Sequence, residues 1–100
     1  MQIWKRRPQE QDGTYLFSGT MYVTQGVLAR LSPVEIMTIY CDIQKFIKET
    51  GGIGIDYFQV YENESGDKLY FIDQCNSEMM EDESFKEEFN HCTLLFSHEY

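Results

Sequence analysis

Basic residues are scarce in this chain of 100 residues: eight Lys and Arg stand against 17 Asp and Glu, a formal net charge of −9. The deficit is uneven. Residues 1–50 carry five acids and six bases, whereas residues 51–100 carry twelve acids against Lys68 and Lys86 alone. An acidic field of that size repels phosphate and attracts basic surfaces, so no autonomous nucleic-acid binding is expected, and a basic protein surface is the expected partner. Trp4-Lys5-Arg6-Arg7 has the composition to touch phosphate, but three bases do not outweigh the net charge. Cysteine is also sparse. Cys41, Cys75 and Cys92 are an odd number without paired spacing, which argues against a disulfide framework and for the reducing cytoplasm. No apolar run reaches the roughly 20 residues that cross a bilayer, and the N-terminus lacks the apolar core of a signal peptide, so no membrane association is expected.

Several site chemistries are missing as well. There is no C-x-x-C or H-x-x-x-H spacing for a metal, so no metal or other cofactor is expected. Gly51-Gly52-Ile53-Gly54 precedes a strand candidate rather than a helix, the wrong order for a phosphate loop. His91-Cys92 are neighbours on a strand candidate, so their side chains point to opposite faces and cannot act as a nucleophile–base pair. Without a nucleophile–base pair the chain is not expected to be an enzyme.

What is present is one strongly marked helix, Ser32 to Gly52. Ser32-Pro33-Val34-Glu35 is a capping box with proline at the first helical position. Ile36, Ile39, Tyr40, Ile43, Phe46 and Ile47 recur at steps of three and four and form one apolar face. Glu35, Thr38, Asp42, Lys45 and Glu49 fall on the other side. Gly51-Gly52 ends the helix, because glycine takes the left-handed cap without a Cβ penalty.

Strands are expected around it at Thr14–Phe17, Met21–Thr24, Ile55–Glu62, Lys68–Gln74 and Cys92–Phe96. Asn63-Glu64-Ser65-Gly66-Asp67 joins the third and fourth as a hairpin. Phe58 and Val60, with Leu69 and Phe71, are read as the floor under the helix. Tyr57, Gln59 and Tyr61, with Tyr70 and Ile72, are read as the opposite, aromatic face. Val27, Leu28 and Leu31 are expected to be buried under the start of the helix. Glu81–Phe89 is read as one or two helical turns anchored by Phe85 and Phe89. The fold class is therefore α+β: a small antiparallel sheet of about four or five strands on one long amphipathic helix. Residues 1–13 are read as a flexible basic leader and 14–100 as a single domain.

Met21-Tyr22-Val23-Thr24-Gln25-Gly26-Val27, the capped helix, Asp56-Tyr57-Phe58-Gln59-Val60-Tyr61-Glu62 and the ending Thr93-Leu94-Leu95-Phe96-Ser97-His98-Glu99-Tyr100 together resemble a small Firmicutes domain family of unknown function. The chain departs from it in the basic leader and in the dense acidic segment Glu78 to Glu88. The resemblance implies an α+β fold and carries no catalytic residues to transfer. It also implies a setting of plasmids and phages, where some small acidic proteins inhibit CRISPR nucleases. On that basis the expected function is a non-catalytic inhibitor occupying the basic guide-RNA or DNA groove of a Cas9-type nuclease. Its expected contacts are Glu62, Glu64, Asp67, Glu78, Glu81, Asp82, Glu83, Glu87 and Glu88, with Tyr57, Tyr61 and Tyr70 as aromatic anchors. The alternative is a small cytoplasmic accessory domain acting as a homodimer through the tyrosine face.

Overall fold

The capping box forms as the sequence predicts. In the computed structural model, which describes residues 2–100, helix α2 runs Pro33–Glu49. The Glu35 amide donates to Ser32 Oγ at 3.2 Å, and the Ser32 amide donates to Glu35 Oε1 at 3.1 Å. Gly51 and Gly52 take φ of 73° and 83°. Their amides donate to the Lys48 and Ile47 carbonyls at 3.0 and 3.3 Å, a Schellman closure of the last turn. Ile39, Ile43 and Ile47 are buried, with Ile36, Tyr40 and Phe46 packed at the margin of the same core. Glu35 departs from the expected polar face. It is buried because Trp4 Nε1 donates to its Oε2 at 3.2 Å while Oε1 closes the capping box.

Five strands make one sheet in the order β1-β3-β4-β5-β2. They are β1 Lys5–Arg6, β2 Thr20–Val23, β3 Phe58–Glu62, β4 Lys68–Asp73 and β5 His91–Phe96. The sheet is mixed rather than purely antiparallel, because β2 pairs with β5 in parallel, Thr20 opposite His91. Both strands start at the same end, where Gly19 lies so close to Asn90 that a Cβ would sit 2.0 Å from its carbonyl oxygen. The short helix α1, Gln25–Arg30, follows β2. It turns Val27 inward and leaves Leu28 56% exposed, contrary to expectation, since one step around a helix is about 100°.

β4 faces as expected, with Leu69 and Phe71 inward, but β3 has the opposite facing from the one expected. Glu62 pairs with Lys68 across the five-residue turn, so Tyr61 lies opposite Leu69 and Gln59 opposite Phe71. These four face the helix and are buried. Phe58, Val60, Tyr70 and Ile72 form the outer face. A one-residue difference in parity moves a whole strand's side chains across the sheet. Tyr61 accounts for the choice: its hydroxyl donates to Asp42 Oδ2 on α2 at 2.7 Å, a bond available only from the inner face.

The leader is part of the sheet. Residues 5–6 are its edge strand, and the Arg7 amide donates to the Val60 carbonyl at 2.8 Å. Arg6 stacks 3.9 Å above the Phe46 ring and bonds Asp42 at 2.9 Å. Gln9 Oε1 accepts from the Asp56 amide and from Gln59 Nε2. Thr14–Phe17 is not a strand. Tyr15 makes only isolated bridges, to Ile55 and Asn76, and Phe17 at φ 49° breaks the extended run. Between β4 and β5 the expected helical turns resolve into helix α3, Ser77–Glu81, and a single 3-10 turn at Glu87–Phe89. Phe89 is half-exposed, with its carbonyl accepting from Cys75 Sγ at 3.2 Å, and Phe85 is partly buried.

Two substitutions test this core. Ile43→Ala should cost about 2–5 kcal/mol, because Ile43 is fully buried in mid-face and its truncation leaves a cavity. Ser32→Ala should cost about 1 kcal/mol through the lost cap. Chemical denaturation of both variants checks the ranking, and equal midpoints for Ile43→Ala and the parent would contradict it.

Candidate partner-binding surface

The carboxylates fall into two groups at opposite ends of the sheet. Glu62, Glu64 and Asp67 lie at the β3–β4 turn. Glu78, Glu81, Asp82, Glu83, Glu87 and Glu88 lie in the connection from β4 to β5. The six residues of β4 separate them by about 20 Å, at roughly 3.3 Å per residue. The acids that the sequence offers together as contacts are thus divided by the fold into two surfaces.

The two groups also differ in charge balance. At the turn, Arg7 Nη1 meets Glu62 Oε2 at 2.6 Å and Arg30 Nη2 meets Asp67 Oδ2 at 3.0 Å. Asp67 also accepts from Asn63, and together with Arg30 this holds its carboxyl below the usual range. Glu64 is the one acid there outside these pairs. At the other end, none of the six acids is in an ion pair among the described residues. All six are exposed, with Lys86 the only base in the segment. Asp82 Oδ1 accepts from the Ser84 hydroxyl at 2.6 Å and from the Ser84 amide at 2.8 Å, which keeps the carboxyl acidic.

The three tyrosines do not form one set. Tyr61 is 1% exposed, and burial beside Asp42 pushes its hydroxyl pKa far up, so it cannot anchor a partner. Tyr57 is partly exposed and Tyr70 half-buried on the outer face. There Phe58, Tyr70 and Tyr100 form a cluster with ring centroids 4.7–5.7 Å apart, in the range of favourable aromatic pairing. Phe58 escapes the sequence reading because that reading inverts the parity of β3, and Tyr100 because it is brought to this face only by the 3-10 turn after β5. The β3–β4 turn was the available signal for the parity: counting back from Glu62 and Lys68 across five residues pairs Tyr61 with Leu69.

The segment Met21–Val27 and the ending Thr93–Tyr100 meet in space. Thr24 Oγ1 donates to Glu99 Oε1 at 2.8 Å and caps α1 by accepting from the Val27 amide at 3.3 Å. Gly26 leaves room for that carboxylate, since a Cβ there would lie 2.7 Å from Oε2. The pairing of Thr24, Gly26 and Glu99 fastens the turn after β5 to the start of α1.

His91 and Cys92 diverge as expected of strand neighbours. His91 sits 5.4 Å from the Tyr22 ring, while Cys92 is buried and its thiol is pushed up to about 12, chiefly by that burial. Among the described residues, no three His, Cys, Asp or Glu side chains converge on a common metal position. No helix of the described residues is long and apolar enough to cross a membrane.

The most unusual buried group is Asp73. Its Oδ2 accepts from the Phe17 amide at 2.8 Å, holding that residue in the left-handed region, while Oδ1 has no protein partner. Burial raises its pKa despite the donor from the Phe17 amide. A raised folded pKa means that the fold favours the protonated acid. That contribution is complete below the unfolded value near 3.8 and is lost as pH rises through the folded one. Asp73→Asn keeps the acceptor and cannot ionise. Its melting temperature should therefore gain on the parent's as pH rises from about 4 to 7. A difference independent of pH would show that Asp73 is not the titrating group.

No protein-family model, no curated protein and no solved structure matches this chain, so its function is read from its own geometry and charge.

Proposed function

We propose that the protein is a non-catalytic, cytoplasmic binding protein that sets the acidic connection Glu78–Glu88 against a basic groove of a nucleic-acid-handling enzyme. The partner suggested by the family resemblance is a Cas9-type CRISPR nuclease. The observation that carries this reading is the split in charge balance: arginines neutralise much of the acid at one end of the sheet, and six carboxylates stand without ion pairs at the other. Such carboxylates offer Arg and Lys side chains the same charge-assisted contacts that phosphates offer, and they compete for one groove on those terms. Because they lie on a connection and not in the core, they can be changed with little loss of stability.

A second reading is favoured by the aromatic cluster of Phe58, Tyr70 and Tyr100. It is a homodimer through the outer sheet face, whose apolar contact would be nearly insensitive to salt.

The two readings separate on charge. Replacing Glu81, Asp82 and Glu83 by Gln, Asn and Gln should leave the melt unchanged and weaken inhibition of DNA cleavage, mainly through a slower on-rate. The loss should shrink in high salt, as the Debye length falls from about 10 Å at 0.1 M to about 3 Å at 1 M. Equal inhibition by parent and triple variant at low salt removes this segment as the contact. Absence of inhibition by the parent across several such nucleases removes the inhibitor reading.

A further inference from the structure

The two edges of the sheet are not alike. β1 is two residues long and carries Lys5 and Arg6, and brevity and charge both discourage further pairing. β2 is the other edge, and its Thr20-Met21-Tyr22-Val23 holds no charge and no proline. On its inner side the Thr20 amide donates to the Asn90 carbonyl at 3.1 Å and the Thr24 amide to the Leu94 carbonyl at 3.2 Å. Donors alternate along a strand, so the amides of Met21 and Val23 point away from β5 to the open edge. Tyr22 is 53% exposed beside it.

The acidic connection reaches this edge. Glu87 and Glu88 line a cleft of about 500 Å³ with Ser18, Gly19, Thr20 and Asn90, at the end where β2 begins. The cleft is predominantly polar, and Asn90 Oδ1 is a buried acceptor with no protein partner. A strand added to β2 would thus run from an uncharged, hydrogen-bonding edge into a pair of carboxylates.

We propose that β2 is a docking edge for an extended basic segment of a protein partner, added to the sheet as a sixth strand, with its Arg or Lys side chains meeting Glu87 and Glu88. Main-chain bonds to Met21 and Val23 would supply affinity, and the carboxylates would select a basic strand over others. This inference rests on the acidic-binding reading above and specifies how the partner is held. A second copy of this chain is a poorer occupant, because each copy brings its own Glu87 and Glu88 and a net charge of −9.

The test uses a capped octapeptide of alternating arginine and valine, with alternating glutamate and valine as its control. Amide hydrogen exchange read by NMR should slow about tenfold or more at Met21 and Val23 on saturation with the basic peptide. The paired substitution Glu87→Gln and Glu88→Gln should weaken the basic peptide about threefold or more at low salt, with no such loss at high salt. The acidic control should not bind. Binding of the basic peptide without slowed exchange at Met21 and Val23 overturns the docking edge while leaving the acidic reading intact. Equal binding of the two peptides overturns the inference, as does no binding at low salt; the inhibition assay then decides the acidic reading by itself. Protection of the same amides by self-association of the chain alone overturns it in favour of edge-to-edge pairing of two copies.

Discussion

Mutual burial of the isoleucine face of α2 and the inner face of the sheet is the constraint on which the other contacts depend. Ile39, Ile43 and Ile47 meet Tyr61, Leu69, Phe71, Leu94 and Phe96 in one cluster. That contact places Asp42 over the sheet, where Tyr61 and Arg6 both bond it. It places Glu35 where Trp4 can reach it. The basic leader is held as an edge strand through these same groups, so its order follows from the position of the helix. The Trp4 ring then packs edge-on against Phe96, closing the core at that side.

The same arrangement sorts the charge. Holding the leader against β3 brings Arg7 to Glu62, and α1 brings Arg30 to Asp67 while its guanidinium stacks 4.4 Å from the Phe96 ring. Two of the bases in the first half are thereby spent on acids of the second, all at one end. Among the described residues, the connection from β4 to β5 receives none. A field concentrated at one end steers a basic partner to that end, an effect that evenly spread charge of the same total would lack. The proposed contacts of Glu78–Glu88 and of the β2 edge lie at this end together.

The helix was legible because its signals are local: a cap, a proline, a 3.6-residue period and two glycines all agree on Ser32 to Gly52. The α+β class followed from it. The facing of β3 was not legible by alternation, since Phe58-x-Val60 and Gln59-x-Tyr61 are equally plausible inner pairs. It is decided by Tyr61 reaching Asp42, 19 residues away. The leader was misread for a similar reason. Arg6 and Gln9 look like solvated chain until Asp42, Asp56 and Gln59 are in place to receive them. The parallel pairing of β2 with β5 depends on Gly19 and Asn90, whose approach spans most of the chain. Of the site residues, the acids of Glu78–Glu88 were identifiable by composition. Their separation from Glu62, Glu64 and Asp67 required the length of β4.

The proposed function has the acidic end compete with nucleic acid for a basic groove. Fluorescence anisotropy of a labelled guide RNA bound to a Cas9-type nuclease tests it most directly. Titration with this protein should release the RNA, with an apparent affinity that weakens in proportion to the RNA concentration. Formation of a ternary complex in which RNA and protein bind together without affecting one another would contradict the claim.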